Sequence, residues 1–202
     1  MKLSTYVASA LPAASFALAA PSLEARQDQG PGQYVNIHPK AAPNKCIGVV
    51  GGKFVAGAAI DVYDCNGSPT QGWNWGLSNL RFSQVFITNP VNGENFCMDI
   101  PPMNGQPENK DLYNGVKMVL KKCDSVPGGT PGWQSFARPY NPGENGAMMF
   151  WTYVLASAGG TGPLCVDLTD GNTANRNVLQ LWQCSPDSNK PYANQIWTVS
   201  EH

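Results

Sequence analysis

Histidine is nearly missing from this 202-residue chain: it has two, and one of them, His202, is the last residue. Any histidine-based catalytic triad or two-histidine metal site would have to rest on His38, which sits beside Pro39 with no partner motif nearby. Charge is also scarce. Only 13% of residues are Asp, Glu, Lys or Arg, the net charge is -1, and no run of Lys or Arg occurs. That leaves no electrostatic footprint for nucleic acid or for an anionic membrane surface. CxxC-like spacings are absent, which argues against zinc. The Asp-x-Asp-x-Asp-Gly spacing of a calcium loop is missing around Asp167, Asp170 and Asn172. No metal or cofactor is therefore expected. Nor does any long stretch keep a helical apolar period, so the elements to look for are strands.

What the chain has in quantity is turn formers, 21 Gly and 17 Pro, together with six Cys. This composition suits one compact, loop-rich domain better than two. Residues 1–20 combine Lys2, a mostly apolar stretch of small residues and the cluster Ala17-Leu18-Ala19-Ala20, the pattern of a signal peptide. Pro12 and Pro21 interrupt the stretch and no second apolar run follows, so membrane insertion is not expected. Glu24-Ala25-Arg26 marks a candidate second processing step after Arg26. The remainder, about 175 residues, is long enough to bury roughly 70% of the unfolded chain's surface. A secreted, extracellular chain passes through an oxidising compartment, where its cysteines pair. Asn66-Gly67-Ser68 is a glycosylation sequon there, although Pro69 follows it.

Six cysteines allow 15 connectivities, and an internal repeat chooses among them. Cys46 and Cys65 are 19 residues apart, Cys97 and Cys123 are 26 apart, and Cys165 and Cys184 are again 19 apart. Three local bridges, Cys46–Cys65, Cys97–Cys123 and Cys165–Cys184, are predicted. This leaves no thiol for nucleophilic catalysis. After each second cysteine comes a Gln-x-aromatic triplet: Gln71-Gly72-Trp73, Gln134-Ser135-Phe136 and Gln195-Ile196-Trp197. Strand-like runs lie between these marks, at residues 59–63, 117–120, 178–182 and 196–199, bounded by Gly, Pro, Asn and Asp. The chain is thus all-β, built of three copies of a unit that cannot bury its apolar face alone. Three such copies suggest closure about a pseudo-threefold axis.

Three segments carry a family resemblance: Cys165-Val166-Asp167, then Gln180-Leu181-Trp182-Gln183-Cys184, then Asn194-Gln195-Ile196-Trp197. In this order and spacing they resemble the third repeat of a ricin B-type lectin. The resemblance covers residues 33–201, most closely over the last 40. It implies a β-trefoil of twelve strands in three lobes, with a candidate sugar pocket in each. The middle repeat, with residues 101–115, is longer than is usual in the family.

A hexose presents vicinal hydroxyls that need carboxylate or amide partners, and a C–H face that packs on an aromatic ring. The third repeat supplies all of these. The resemblance implies that Asp167 accepts bonds from adjacent hydroxyls, that Trp182 is the stacking platform and that Asn194 bonds a hydroxyl. Gln180 and Gln195 would support them. Alternation alone leaves Trp182 between core and platform; its place two before Cys184 decides, through the resemblance. Trp73, Phe136 and Trp197 in the triplets read as core. The other repeats depart from the pattern. The second keeps Asp99 but has Val119 and Lys121 where Gln180 and Trp182 would be. The first has Tyr63 as an aromatic and Asp61 in place of the Gln, yet Gly48 stands where the Asp should be. One good site is expected, with Asp61 and Tyr63 a weaker second and Asp99 in a silent lobe.

The expected function is glycan or polysaccharide binding without chemistry, of galactose or N-acetylgalactosamine type by the family's habit, with oligomers supplying avidity. Three rival readings remain. A glycosidase carboxylate pair can be distant in sequence and close in space. A β-trefoil protease inhibitor would act through one exposed loop, at residues 101–115 or 139–146. A polysaccharide-binding module would act beside a glycoside hydrolase.

Overall fold

The computed structural model describes residues 34–75, 82–100, 114–124, 134, 136–137, 151–152, 164–187 and 190–202. The leader 1–20, the processing step after Arg26, the loop 139–146 and nearly all of the loop 101–115 lie outside them. Strands form where β-branched and aromatic residues alternate between core and surface. In Val85–Thr88, for example, Val85 and Ile87 are buried while Phe86 and Thr88 are only half-buried. The first lobe contains β1 (Tyr34–Pro39), β2 (Lys45–Val49), β3 (Ile60–Asp64) and β4 (Trp73–Trp75). The second contains β5 (Phe82–Ser83), β6 (Val85–Thr88), β7 (Asn95–Asp99), β8 (Val116–Lys117), β9 (Val119–Lys122) and β10 (Phe136–Ala137). The third contains β11 (Trp151–Thr152), β12 (Leu164–Asp167), β13 (Asn177–Val178), β14 (Gln180–Gln183) and β15 (Trp197–Glu201).

Counting β5/β6, β8/β9 and β13/β14 as interrupted single strands leaves four per lobe and twelve in all. Neighbouring strands β15, β1, β4, β5/β6, β10 and β11 run antiparallel around the body, and β1 pairs with β15 to join the two ends of the described chain. The other six make one hairpin per lobe in matching register: Cys46 opposite Tyr63, Cys97 opposite Lys121 and Cys165 opposite Trp182. The fold is a β-trefoil with three disulfides, Cys46–Cys65, Cys97–Cys123 and Cys165–Cys184. Each bridge closes a loop of about 20 residues, worth around 3 kcal/mol in the chain-entropy model.

The three hairpins meet in a ring of main-chain hydrogen bonds. Ile60 N donates to Met118 O (3.2 Å), Met118 N to Leu179 O (3.0 Å) and Leu179 N to Ile60 O (2.9 Å). All three side chains are fully buried in the core. This ring explains why the runs 117–120 and 178–182, expected to be continuous, are broken at Met118 and Leu179. The main-chain groups of those residues turn to the neighbouring lobe instead of to a ladder. A second set of equivalent bonds lies one step out: Gly57 N to Leu120 O, Gly115 N to Leu181 O and Arg176 N to Val62 O. The three donors all have left-handed backbone, at φ 86°, 92° and 70°. Glycine adopts this freely and arginine does not.

The triplet aromatics Trp73, Phe136 and Trp197 are fully buried. Trp73 Nε1 donates to Ile47 O (2.9 Å) and Trp197 Nε1 to Val166 O (3.0 Å), so each indole ties its barrel strand to the hairpin of its own lobe. Replacing Trp73 with Ala removes this bond and leaves a large cavity, a loss expected to cost about 3–5 kcal/mol. Urea denaturation reads it as a lowered midpoint. An unchanged midpoint would show that the indole is not holding the lobe.

Candidate functional site

Asp167 ends β12 opposite Gln180 of β14, and three amides converge on it. Gln180 Nε2 donates to Oδ1 (2.9 Å), Asn194 Nδ2 to Oδ2 (2.7 Å) and Gln195 Nε2 to Oδ2 (3.1 Å). The residue is 0% exposed. Burial pushes its carboxyl above the usual carboxylate range, and the three amide bonds pull against that shift. Gln195 also braces the main chain: its Nε2 donates to Gln183 O (3.0 Å), and its Oε1 accepts from Ser185 N (3.2 Å). Leu179 and Leu181 face the core while Trp182, two residues after Gln180, is 41% exposed. The third lobe therefore presents an open indole beside a carboxamide whose far side grips a buried carboxylate.

Two residues of the neighbouring lobe complete this surface. A Cβ added at Gly115 would lie 3.8 Å from Trp182 Cζ3 and 3.9 Å from Gln180 Oε1, so this glycine, at φ 92°, packs directly beside the exposed ring and the buried amide. Lys117 Nζ donates to Gln180 Oε1 (3.1 Å) and to Thr169 Oγ1 (2.8 Å). That bond fixes which way the Gln180 amide points, with its nitrogen toward Asp167. Sequence reasoning missed Gly115 and Lys117. The signal was available only in the repeat arithmetic, since each lies a fixed distance before Cys123 and crosses to the next lobe through the β8–β14 pairing.

The second lobe keeps the buried acid but changes what surrounds it. Asp99 is buried, Gln134 Nε2 donates to its Oδ2 (3.0 Å) and Ile100 N to its Oδ1 (2.6 Å). Lys121, standing where Trp182 stands, lies 4.0 Å from the same carboxylate and pairs with Asp124 at 2.9 Å. A platform for an apolar face is thus replaced by a cation. In the first lobe Gly48 faces Asp61 across the β2–β3 ladder, the position at which Asp167 faces Gln180. Among the described residues Gln71 keeps only its main-chain bonds, donating to Asp64 O (3.0 Å) and accepting from Asn66 N (2.9 Å). A pocket of about 180 Å³ opens there, bordered by Gly48, Asp61, Tyr63, Gln71 and Arg176. His38 lies apart from all three lobe sites. Its Nδ1 is 2.9 Å from Lys45 O and its Nε2 is 2.8 Å from Ser200 Oγ. It approaches Cys46 and Cys65, but both sulfurs are bonded to each other, so that grouping offers no thiolate to a metal.

No family model and no curated protein sequence matches the chain. Solved structures do. The designed three-fold symmetric protein ThreeFoil is 16% identical, with a TM-score of 0.57 over 84% of this chain and 99% of its own. The Rhizoctonia solani agglutinin is 18% identical, with a TM-score of 0.51 over 85% of this chain and 96% of its own. An exo-β-1,3-galactanase from Clostridium thermocellum is 17% identical, with a TM-score of 0.55 over 84% of this chain but only 30% of the enzyme. At such identities the likeness shows a shared β-trefoil.

The buried acids generate a pH test. Burial raises Asp61 from 3.8 to about 6, against the lowering effects of the Arg176 charge and its own main-chain N–H. A carboxyl whose folded pKa is raised holds its proton more tightly in the folded chain, so stability falls as pH rises from about 4 to 6. Asp167 acts in the same direction. Asp61→Asn is expected to stabilise the fold by on the order of 2 kcal/mol above pH 6, with the gain gone below pH 4. Denaturant titrations of both proteins across this range check it, and a difference that does not vary with pH would contradict it.

Proposed function

We propose that the chain is a secreted lectin that binds glycans, without chemistry, through the third lobe. The observation that carries this reading is the open Trp182 ring set beside the Gln180–Asp167–Asn194 cluster. A pyranose lays its C–H face on the indole and turns two hydroxyls toward the polar cluster. Asn194 is the exchangeable member, since it is only half-buried whereas Gln180 and Gln195 are buried. A ligand hydroxyl takes the place of Asn194 Nδ2 on Asp167 Oδ2, and the released amide bonds the adjacent hydroxyl. Gln180 and Gln195 keep the carboxylate in place throughout.

Engagement of Asp167 by three amides supports binding over catalysis, because its lone pairs are committed to neighbours rather than held ready for a proton. Three disulfides support an extracellular setting, and among the described residues no helix is long and apolar enough to cross a membrane. The fold is shared with an agglutinin and occupies part of a galactanase. This supports a saccharide ligand in general; galactose or N-acetylgalactosamine type is what the family resemblance implies, and a polysaccharide-binding module beside a glycoside hydrolase is the alternative reading. One shallow site gives affinity near millimolar, about -4 kcal/mol, so oligomers or clustered glycans would supply the avidity.

A glycan array followed by calorimetry, on wild type and Trp182→Ala, tests the reading. Loss of the ring is expected to weaken binding roughly tenfold, from a stacking contribution of about 1 kcal/mol or more. The melting temperature is expected to stay unchanged, because the side chain is exposed. Equal binding by the two proteins would sink the third-lobe site.

A further inference from the structure

The first-lobe pocket departs from the third-lobe site in a consistent direction. Gly48 removes the carboxylate from β2, and Asp61 returns one from the opposite strand. Asp61 is only 3% exposed, borders the pocket, and among the described residues its carboxylate has no side-chain hydrogen-bond partner. In the third lobe the equivalent acid is gripped by three amides; here none reaches it. Tyr63, 37% exposed, provides a ring where Trp182 stands in the third lobe.

The rim is the more informative part. Arg176 borders the pocket at the position that Gly115 holds over the third-lobe site and Gly57 over the second-lobe one. It keeps φ 70°, a conformation that its two counterparts adopt as glycine. Among the described residues its guanidinium has no hydrogen-bond or ion-pair partner, although it is close enough to Asp61 to be felt by that group's charge. A strained residue is kept where the surroundings or a ligand use it. A guanidinium offers a planar fork of donors that matches a carboxylate with two parallel bonds.

We propose that this pocket is a second site, for a carboxylate-bearing sugar such as a hexuronate. Arg176 takes the carboxylate, Asp61 the hydroxyls and Tyr63 the C–H face. This second site rests on the proposed function only for the ligand class, a saccharide. It uses another lobe, other residues and the opposite charge preference to a neutral hexose.

Calorimetry or NMR titration with glucuronate and galacturonate, each beside its neutral parent hexose, separates the two sites. The proteins are wild type, Arg176→Gly, Arg176→Lys and Trp182→Ala. Wild type is expected to bind at least one uronate, more weakly as salt is raised. Arg176→Gly is expected to lose roughly tenfold or more, since a hydrogen bond to a charged group is removed, and Arg176→Lys to fall between. Because glycine suits φ 70°, Arg176→Gly is expected to melt no lower than wild type, so lost binding cannot be ascribed to lost folding. Trp182→Ala is expected to keep the uronate. The proposal is overturned if wild type binds neither uronate, if Arg176→Gly binds it as tightly as wild type, or if Trp182→Ala binds parent hexose and uronate equally. Failure of the third-lobe reading appears separately, as hexose binding that survives Trp182→Ala.

Discussion

The three described hairpins are arranged around three main-chain hydrogen bonds, those linking Ile60, Met118 and Leu179. Each hairpin gives one N–H and one C=O to a neighbour, so no hairpin satisfies its own main chain at the axis. Buried main-chain groups left unpaired are costly, and the three lobes must therefore close together. The fully buried side chains at the same positions seal the ring from water, where such bonds are strongest. A local bridge in each lobe, and an indole bond in the first and third, then hold the lobes in the register that the ring demands.

Within that common frame the lobes differ by a handful of side chains at fixed places. The position two before each second cysteine carries Tyr63, Lys121 or Trp182; the one two residues earlier carries Asp61, Val119 or Gln180. Because the register is shared, these exchanges alter chemistry without moving the backbone. The second lobe settles its buried acid with Gln134 and the Ile100 main-chain N–H, the third settles one with three amides, and the first has an acid with no side-chain hydrogen-bond partner among the described residues. What each lobe offers a ligand is therefore set by these side chains: an exposed indole beside a half-buried Asn194 in the third, a cation in the second, and in the first a ring beside an acid with no side-chain hydrogen-bond partner among the described residues.

The architecture was legible because it is periodic. Cysteine spacing paired the bridges, and the Gln-x-aromatic triplets marked one buried ring per lobe. The meeting of Gln180, Asn194 and Gln195 at Asp167 was legible too, through the resemblance. Their bonding was less so: the sequence does not show that three amides converge on one carboxylate and cover it. Nor does it show Lys117 orienting Gln180, Gly115 packing beside the Trp182 ring, or the strand breaks at Met118 and Leu179. All of these depend on which lobe lies beside which, a matter of tertiary pairing, whereas propensity and periodicity speak only of neighbours along the chain.

The residue eight before each second cysteine carries a consequence for how such a chain changes over time. Gly57, Gly115 and Arg176 are encoded in one repeat and act on the pocket of the next, with the third handing on to the first. The unit that is copied is thus not the whole of the unit that binds. A substitution at this one position leaves its own repeat's pocket intact and retunes its neighbour's. After a triplication the three pockets can therefore diverge in ligand while every repeat keeps its own core, cysteines and strands unaltered.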